Sequence, residues 1–505
     1  MIVLEVVPDS VPQTPADVLV LPCFAGEDGI GEPGPGCAAA AAALGIDLRA
    51  ILRARGFAGE IGDTFATLTL GRLACGSVLL IGLGPRDGGG PGAVRHAAMR
   101  AAGELASAAA VAVVLPEAGR PAGPAASLAA AFAEGLLLGC YRFERYRRRP
   151  AWPGAHRSAI EVVRVLGGGA DRAALEAGLR RGRMLAELTN WVRDLVNASP
   201  SDSTPEDMAE QAREMASANG LACSVLTVPE LRAGGFGGIL GVGQGSKKEP
   251  RLVELSYRGG GDGPLIGMTG KGITFDSGGL SLKRDSEIEW MKSDMAGAAA
   301  VMAVLRGAAE LGLPVNIDAV LPFAENMPGG GAQRPGDVLT HRGGTSSEVR
   351  DTDSEGRLII ADALAYLAER EPVTIIDVAT LTDAAGLGED LWAVLGTDEG
   401  EIGQLIEAGI EAGDPGWRLP LPSAYRRYLD SAVADIRNTP ASGPDTTVMA
   451  AMYLREFTGN VPWLHIDNGS TAYLDRATEL WPEGATGSPA RALLRWVERF
   501  AAKCR

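Results

Sequence analysis

The chain has 505 residues, 46% of them hydrophobic and 22% charged. That balance excludes a disordered or fibrous polymer, and the length exceeds what one hydrophobic core organises, so two domains are expected. A formal net charge of -16 and a pI near 4.9 oppose attraction to phosphate backbones and anionic lipid surfaces, so neither nucleic acid nor membrane is expected as a partner.

The first residues, MIVLEVVPDSVPQTP, have no basic leader and turn polar quickly, and no apolar run approaches the roughly 20 residues that cross a bilayer. Cys23, Cys37, Cys75, Cys140, Cys223 and Cys504 form no C-x-x-C pair, which points away from a disulfide framework or thiolate zinc site and fits a reducing cytoplasm. Short apolar runs at Val18 to Leu21, Val78 to Leu83 and Val111 to Leu115 read as buried strands, and Ala125 to Leu138 as a helix. Gly29 to Gly36 and Gly88 to Gly92 read as loops. The GLG at Gly82 to Gly84 lacks the third glycine of a dinucleotide fingerprint. The basic run Tyr141 to Arg149 is expected to be a solvated face or a subunit contact rather than a nucleic-acid patch.

After the Gly167 to Gly169 break, Asp171 is placed to cap a helix with apolar spacing that runs to Val196. Thr204 followed by Pro205 starts another helix. From Leu252 onward, near-continuous apolar runs (Leu265 to Met268, Asn316 to Leu321, Thr374 to Val378) alternate with helical stretches (Ala296 to Leu311, Leu358 to Leu367). The fold class is therefore α/β: a smaller N-terminal α/β domain over 1–170, a linker helix over 171–197, and a larger C-terminal domain over 198–505. The latter has a mostly parallel sheet covered by helices.

Three segments of the larger domain carry chemistry. GKGITFDSGGLSLK, Gly270 to Lys283, leaves a strand and presents Lys271, Asp276 and Lys283 among glycines that allow sharp turns. MKSDM, Met291 to Met295, puts Asp294 before an Ala-rich helix, where taken alone it reads as an N-cap. DTDSEGRL, Asp351 to Leu358, sets three acids and Arg357 before another helix, where acids also serve as caps. Together the segments fall at strand ends and can converge on one sheet edge. Clustered carboxylates need cations between them, and acids with one or two lysines can hold two divalent ions roughly 3.5–4 Å apart. The histidines His96, His156, His341 and His465 contain no H-E-x-x-H pair, which argues against a histidine zinc site.

These segments resemble the leucyl aminopeptidase (cytosol aminopeptidase) family, whose signature is NTDAEGRL and whose metal loop reads GKGITFDSGG. Further matching runs are Asp194 to Asn197, Gly243 to Ser246, Glu325 to Pro328, Arg334 to Asp337 and Gly484 to Gly487. The resemblance implies a metal-dependent aminopeptidase with two ions, Zn or Mn, per subunit. Asp276 and Glu355 would bridge the ions, Lys271 and Asp294 would complete one site, and Asp353 would complete the other. It assigns Lys283 to polarising the scissile carbonyl and Arg357 to holding a bicarbonate that relays the proton. It places Met291, Thr380 and Asp383 at the substrate pocket, and implies peptide or aminoacyl-amide substrates with a free amino terminus, a homohexamer and a cytoplasmic location.

The pattern is broken at Asp351 (for Asn), Ala296 (for Gly), Asp383 (for the Gly ending ATLTG), Asp467 to Ser470 and Ser442 to Asp445. No ligand is lost, but these changes put a preference for leucine in question. Asp383, acidic and larger than Gly, would either disfavour a bulky apolar side chain or, paired with a protein cation or turned away, leave specificity unchanged. Besides the exopeptidase, two alternatives remain: a specialised member acting on an unusual peptide or aminoacyl conjugate, and a non-enzymatic DNA-binding or scaffold role. The latter is opposed by the acidic charge and the complete ligand set.

Overall fold

The computed structural model describes residues 2–8, 10–88, 90–116, 124–148, 158–167, 172–284, 288–382, 386–443 and 445–504. The chain divides into compact units Met1–Asn190 and Trp191–Arg505, the division falling inside the long helix Arg172–Asn197. Asp171, expected to cap that helix, lies outside the described residues.

In the first unit the strands Val3–Val7, Val162–Leu166, Ala110–Val113, Ala16–Ala25, Cys75–Pro85 and Thr64–Leu68 lie side by side in that order. All neighbours are parallel except the last pair. Alternation along a strand sends successive side chains to opposite faces. Val20, Leu79 and Ile81 accordingly join a core with the helices Pro91–Ala101 and Ala125–Gly139, while Leu19, Leu21, Val78 and Leu80 join one with Cys37–Leu44 and Leu48–Arg55. The expected run Val111 to Leu115 leaves the sheet after Val113. The loops expected around Gly29 to Gly36 and Gly88 to Gly92 are shorter than read: Glu32–Pro33 pairs with Ala16–Ala25, and a helix starts at Pro91, whose missing N–H costs nothing in a first turn. Gly82 answers a packing need, because a Cβ there would stand 2.0 Å from the Glu60 carbonyl oxygen. The part of the basic run described, through Arg148, is non-helical and exposed or half-buried.

In the second unit a mixed sheet runs Gly416–Arg418, Trp392–Gly396, Trp463–Asp467, Thr374–Ala379, Leu265–Gly270, Asn316–Asn326, Arg251–Arg258, Ala222–Leu226. Its centre is parallel, and antiparallel pairings appear toward both sides. Gly272–Asp276 continues the sheet beside Asn316–Asn326. The central strands are buried nearly throughout, as expected of a parallel sheet covered by helices. Leu358 to Leu367 of the helix Gly356–Ala368 share one core with Val320, Ala324 and Ile375. Thr204 opens the helix Pro205–Asn219 through a reciprocal capping box with Asp207, whose carboxylate accepts from Thr204 N at 2.9 Å.

One close approach positions the site. The helix Ala296–Glu310 meets the sheet at Gly297, where a Cβ would lie 2.1 Å from the Val378 carbonyl oxygen, and at Gly270, where it would lie 2.4 Å from the Gly297 carbonyl carbon. The backbone of Lys271 is clamped there, its N–H donating to Val378 O at 2.8 Å and its carbonyl accepting from Ala298 N at 2.9 Å. Asp294, just before the helix, is brought beside the Lys271 side chain.

Candidate metal centre and active site

Four strands deliver the site at their carboxyl ends, where α/β sheets bind ligands. Leu265–Gly270 leads into Lys271, Gly272–Asp276 ends on Asp276, Asn316–Asn326 ends on Asn326, and Thr374–Ala379 leads into Thr380. Beyond Asp276 the chain reverses through Gly278 (φ 86) and Gly279 (φ 66), a left-handed pair natural to glycine. A Cβ on Gly278 would also stand 2.9 Å from Asp353 Oδ1. The turn brings Lys283 back over the acids.

Single carboxylate oxygens of Asp276, Asp353 and Glu355 lie within 4.8 Å of one another. Lys271 Nζ is 2.8 Å from Asp294 Oδ2 and 2.8 Å from Glu355 Oε1. Lys283 Nζ is 2.9 Å from Asp276 Oδ2 and 2.7 Å from Asp353 Oδ1. Two readings of the local sequence are corrected here. Asp294 does not cap: the N-cap residue is Met295, and the Asp294 carboxylate turns to Lys271 and to the Thr380 hydroxyl, which donates to Oδ1 at 2.7 Å. Glu355 stands at the N-cap of Gly356–Ala368 without a side-chain capping bond, because its carboxylate also faces Lys271.

Charge balance governs protonation. Burial alone would lower the Lys271 ammonium, but Asp294, Glu355 and Asp276 outweigh it and hold it well above its ordinary value. Lys283 is likewise held high, burial being outweighed by Asp276, Glu355 and Asp353. Four acids exceed two ammoniums, and the carboxyls of Asp294, Glu355 and Asp353 move up as well. Burial raises Asp294, against Lys271 and with Glu355 and Asp276; burial and Asp276 raise Glu355. Asp353 is pushed up to about 7 by burial and then by Asp276 and Glu355.

The donor set fits divalent cations. Asp294 Oδ2, Asp353 Oδ1 and Glu355 Oε1 are buried and accept no hydrogen bond among the described residues, touching only lysine nitrogens as ion pairs. Apart from those two ammoniums, no donor satisfies these converging oxygen lone pairs among the described residues, and such oxygens suit a hard or borderline ion. The histidines lie elsewhere: His341 and His465 are buried against Asp362 and Asp377, His96 is in the helix Pro91–Ala101, and His156 is outside the described residues.

A cavity of about 590 Å³ opens over the centre, lined by Lys271, Asp276, Lys283, Asp294, Asp353 and Arg357 among others. Met291 and Thr380 also line it. Thr380 is bound to the centre from both ends, as its carbonyl accepts from Lys271 Nζ at 3.0 Å. Asp383 lies outside the described residues. Asp467, which opens the altered 467–470 run, is buried, accepting from Thr382 Oγ1 at 2.6 Å and Leu381 N at 3.3 Å, so it braces the loop beside the cavity.

Sequence reasoning missed several supporting residues. Asn326 Nδ2 donates to Asp276 Oδ1 at 2.8 Å, to Thr352 O at 2.9 Å and to Glu355 Oε2 at 3.4 Å, linking two strand ends to the loop before Gly356–Ala368. Its only signal was its place in the Glu325 to Pro328 run. Asn438 takes Arg357 Nη1 on its carbonyl at 2.6 Å and donates to Asp351 O at 2.6 Å. Asp445 binds Arg357 directly, Nη2 to Oδ2 being 2.7 Å.

A two-unit α/β chain with a lysine-braced carboxylate centre at the edge of a parallel sheet belongs to the class of metal-dependent hydrolases. Residues 190–494 match the catalytic domain of the cytosol aminopeptidase family and residues 20–150 its N-terminal domain, and the chain belongs to that family. It is therefore a peptidase of the aminopeptidase class. It is 40% identical over 454 residues to a probable cytosol aminopeptidase of Syntrophotalea carbinolica, covering 88% of this chain and 90% of the relative. Among solved structures it is similar to the bottromycin maturation enzyme BotP in complex with Mn (36% identity, TM-score 0.84, 96% of this chain and 100% of that one). A mutant of tomato leucine aminopeptidase matches at 27% identity with TM-score 0.86, covering 99% and 97%. No helix among the described residues is long and apolar enough to cross a membrane.

Proposed function

We propose that the chain is a two-metal aminopeptidase that removes amino-terminal residues from peptides or aminoacyl amides. The observation that carries the reading is the carboxylate cluster of Asp276, Asp353 and Glu355, faced by Lys271 and Lys283. Asp276 and Glu355 would be shared between two ions, with Lys271 and Asp294 completing one ligand set and Asp353 the other. Zn or Mn is the expected metal, and Mn is supported by the BotP complex. When bound, the ions supply Lewis acidity toward the attacking water and the scissile carbonyl.

The chain's own groups do the rest. Lys283, held as an ammonium at the cavity wall, is placed to stabilise negative charge developing on the carbonyl oxygen. Lys271 must surrender its proton to act as a ligand. Arg357, whose guanidinium keeps its protons, serves as an anchor for an anion and not as a base. Met291, Leu381, Leu419 and Val448 give part of the cavity an apolar wall suited to a side chain. A homohexamer in the cytoplasm is the assembly and location that the family resemblance supports.

A second reading, a specialised member with an unusual peptide or conjugate as substrate, is supported by the likeness to the bottromycin maturation enzyme BotP and by the changes at 383 and 467–470. One experiment separates the readings: kcat/KM for a panel of aminoacyl amides and peptides, with metal-free protein and with added Mn²⁺ or Zn²⁺. Broad metal-dependent turnover supports the first; turnover confined to one peptide class supports the second. Turnover by protein shown to be metal-free would overturn both.

A further inference from the structure

Hydrolysis of an amide needs a group that takes a proton from water as its oxygen bonds to the carbonyl carbon, and returns it to the nitrogen as the C–N bond breaks. In this cavity Asp276, Asp294, Asp353 and Glu355 are committed to the cation site, and Lys283 and Arg357 are cations. Of the other acids lining it, Asp351 spends Oδ1 on the N–H of Asp353 at 3.0 Å. Asp445 remains. Its carboxylate faces the Arg357 guanidinium through both oxygens, Nη2 to Oδ2 at 2.7 Å and Nη1 donating to Oδ1 at 3.1 Å. Ser354 Oγ lies a further 3.4 Å from Oδ2. Arg357 is itself fixed, 2% exposed, with Nη1 also on the Asn438 carbonyl. Asp445 stays 29% exposed at the side chain, open to the cavity it shares with Asp353 and Lys283. Its backbone is held by the next residue, since Thr446 caps the helix Thr447–Arg455 by accepting from Met449 N.

We propose that Asp445, anchored by Arg357, is the proton shuttle of the reaction. It accepts one proton from the attacking water while the O–C bond forms, and delivers that proton to the departing amine while the C–N bond breaks. One water is consumed per bond cleaved and the carboxylate is regenerated. The inference rests on the aminopeptidase reading above and deepens it: the anion on Arg357 is a side chain of this chain, so turnover needs no bicarbonate. A carboxylate already fills the Arg357 fork that an external anion would use.

The test uses the full-length, metal-loaded protein in buffer stripped of carbon dioxide. Wild-type kcat is expected to be indifferent to bicarbonate, and ¹³C-bicarbonate should show no line broadening with wild type. Asp445→Ala is expected to keep its metal and its KM within a few-fold while kcat falls by about 10²–10⁴. Added bicarbonate or formate should restore at least tenfold of that loss, and ¹³C-bicarbonate should now bind. Asp445→Asn, similar in size, should lose kcat and resist rescue, and it serves as the probe if the alanine variant does not fold. Stimulation of wild type by bicarbonate, or a wild-type kcat in Asp445→Ala or Asp445→Asn, overturns the proposal while leaving the aminopeptidase reading standing. A metal-loaded wild type without peptidase activity overturns the reading, and the shuttle with it.

Discussion

The side chain of Lys271 lies across Gly356 so closely that a Cβ on the glycine would stand 2.5 Å from Cε and 2.7 Å from Nζ. The glycine between Glu355 and Arg357 is thus the floor on which the lysine rests to reach Asp294 and Glu355. Its φ is not in the left-handed region, so backbone strain is not the reason for it.

Gly356→Ala should therefore damage function without damaging the fold. The atoms a methyl group would meet belong to a flexible side chain, and alanine is the better helix former, so stability should change by no more than about 1 kcal/mol. The displaced amine leaves the acids, and metal affinity should drop about 10–100-fold, as for loss of a residue that orients a ligand. Urea melts beside metal titrations check this; a large loss of stability with metal affinity intact would contradict it.

Metal binding should release protons and tighten as pH rises. Burial opposes the Lys271 ammonium, but the surrounding acids hold it above its ordinary value, and the carboxyl of Asp353 is pushed up to about 7. Both must deprotonate to ligate, so at lower pH protons compete with the ion. Calorimetric titration of Mn²⁺ in buffers of different ionisation enthalpy measures the protons released. A pH-independent affinity with no release would refute the prediction.

The metal-free protein should carry the opposite pH signature in its stability. Asp353 has a folded pKa near 7 against an ordinary 3.8, so between those values the folded state binds more protons than the unfolded one. The stabilisation is fully present below about pH 3.8 and is lost as pH rises through about 7. Asp353→Asn removes this component. The difference in urea midpoint between wild type and variant should shift against wild type from pH 4 to pH 7.5, and saturating Mn²⁺ should abolish that trend.

How much of this was legible in the sequence depended on range. Lys271 and Asp276 could be read because they sit in a dense local motif just past the buried apolar strand Leu265–Gly270, and Asp353 and Glu355 because acids crowd the loop before the apolar helix Gly356–Ala368. Asp294 was misassigned when read alone because its position before a helix satisfies the rule for a cap; only the third dimension shows Lys271 taking the carboxylate. Arg357 and Asp445 are 88 positions apart and Asn326 and Asp276 are 50 apart, and no periodicity encodes which loops meet. In the first unit the strands were found from apolar runs, but their ends shifted wherever a proline or glycine was taken as a loop and proved to begin an element, as at Pro91.

Asn326 tests that long-range link. It is 1% exposed, and its amide joins Asp276, Glu355 and the Thr352 carbonyl. Asn326→Ala should cost about 1–3 kcal/mol, as expected when buried acceptors lose their donor. Metal affinity should weaken as well, because Asp276 and Glu355 lose the group that fixes their orientation. Equilibrium unfolding and metal titration measure the two effects, and a variant with unchanged metal affinity would show that Asn326 only packs.

The last prediction separates ligation from charge stabilisation. Lys283 contacts two of the acids, Asp276 and Asp353, at 2.9 and 2.7 Å, yet its proposed task is on the substrate and not on the ions. Removing it leaves the acids in excess by one more charge, which favours cations, so Lys283→Ala should bind metal at least as well as wild type. Its kcat should nevertheless fall by about 10²–10³, or about 2.7–4 kcal/mol of lost transition-state stabilisation, as for a donor aimed at a developing oxyanion. Asp276→Ala removes a carboxylate from the centre of the cluster and should lose metal itself. Elemental analysis and kcat measured on the same preparations distinguish the two failures. If Lys283→Ala were inactive only because it had lost metal, the lysine would be a brace of the cation site, and another group lining the cavity would have to stabilise the charge on the carbonyl oxygen.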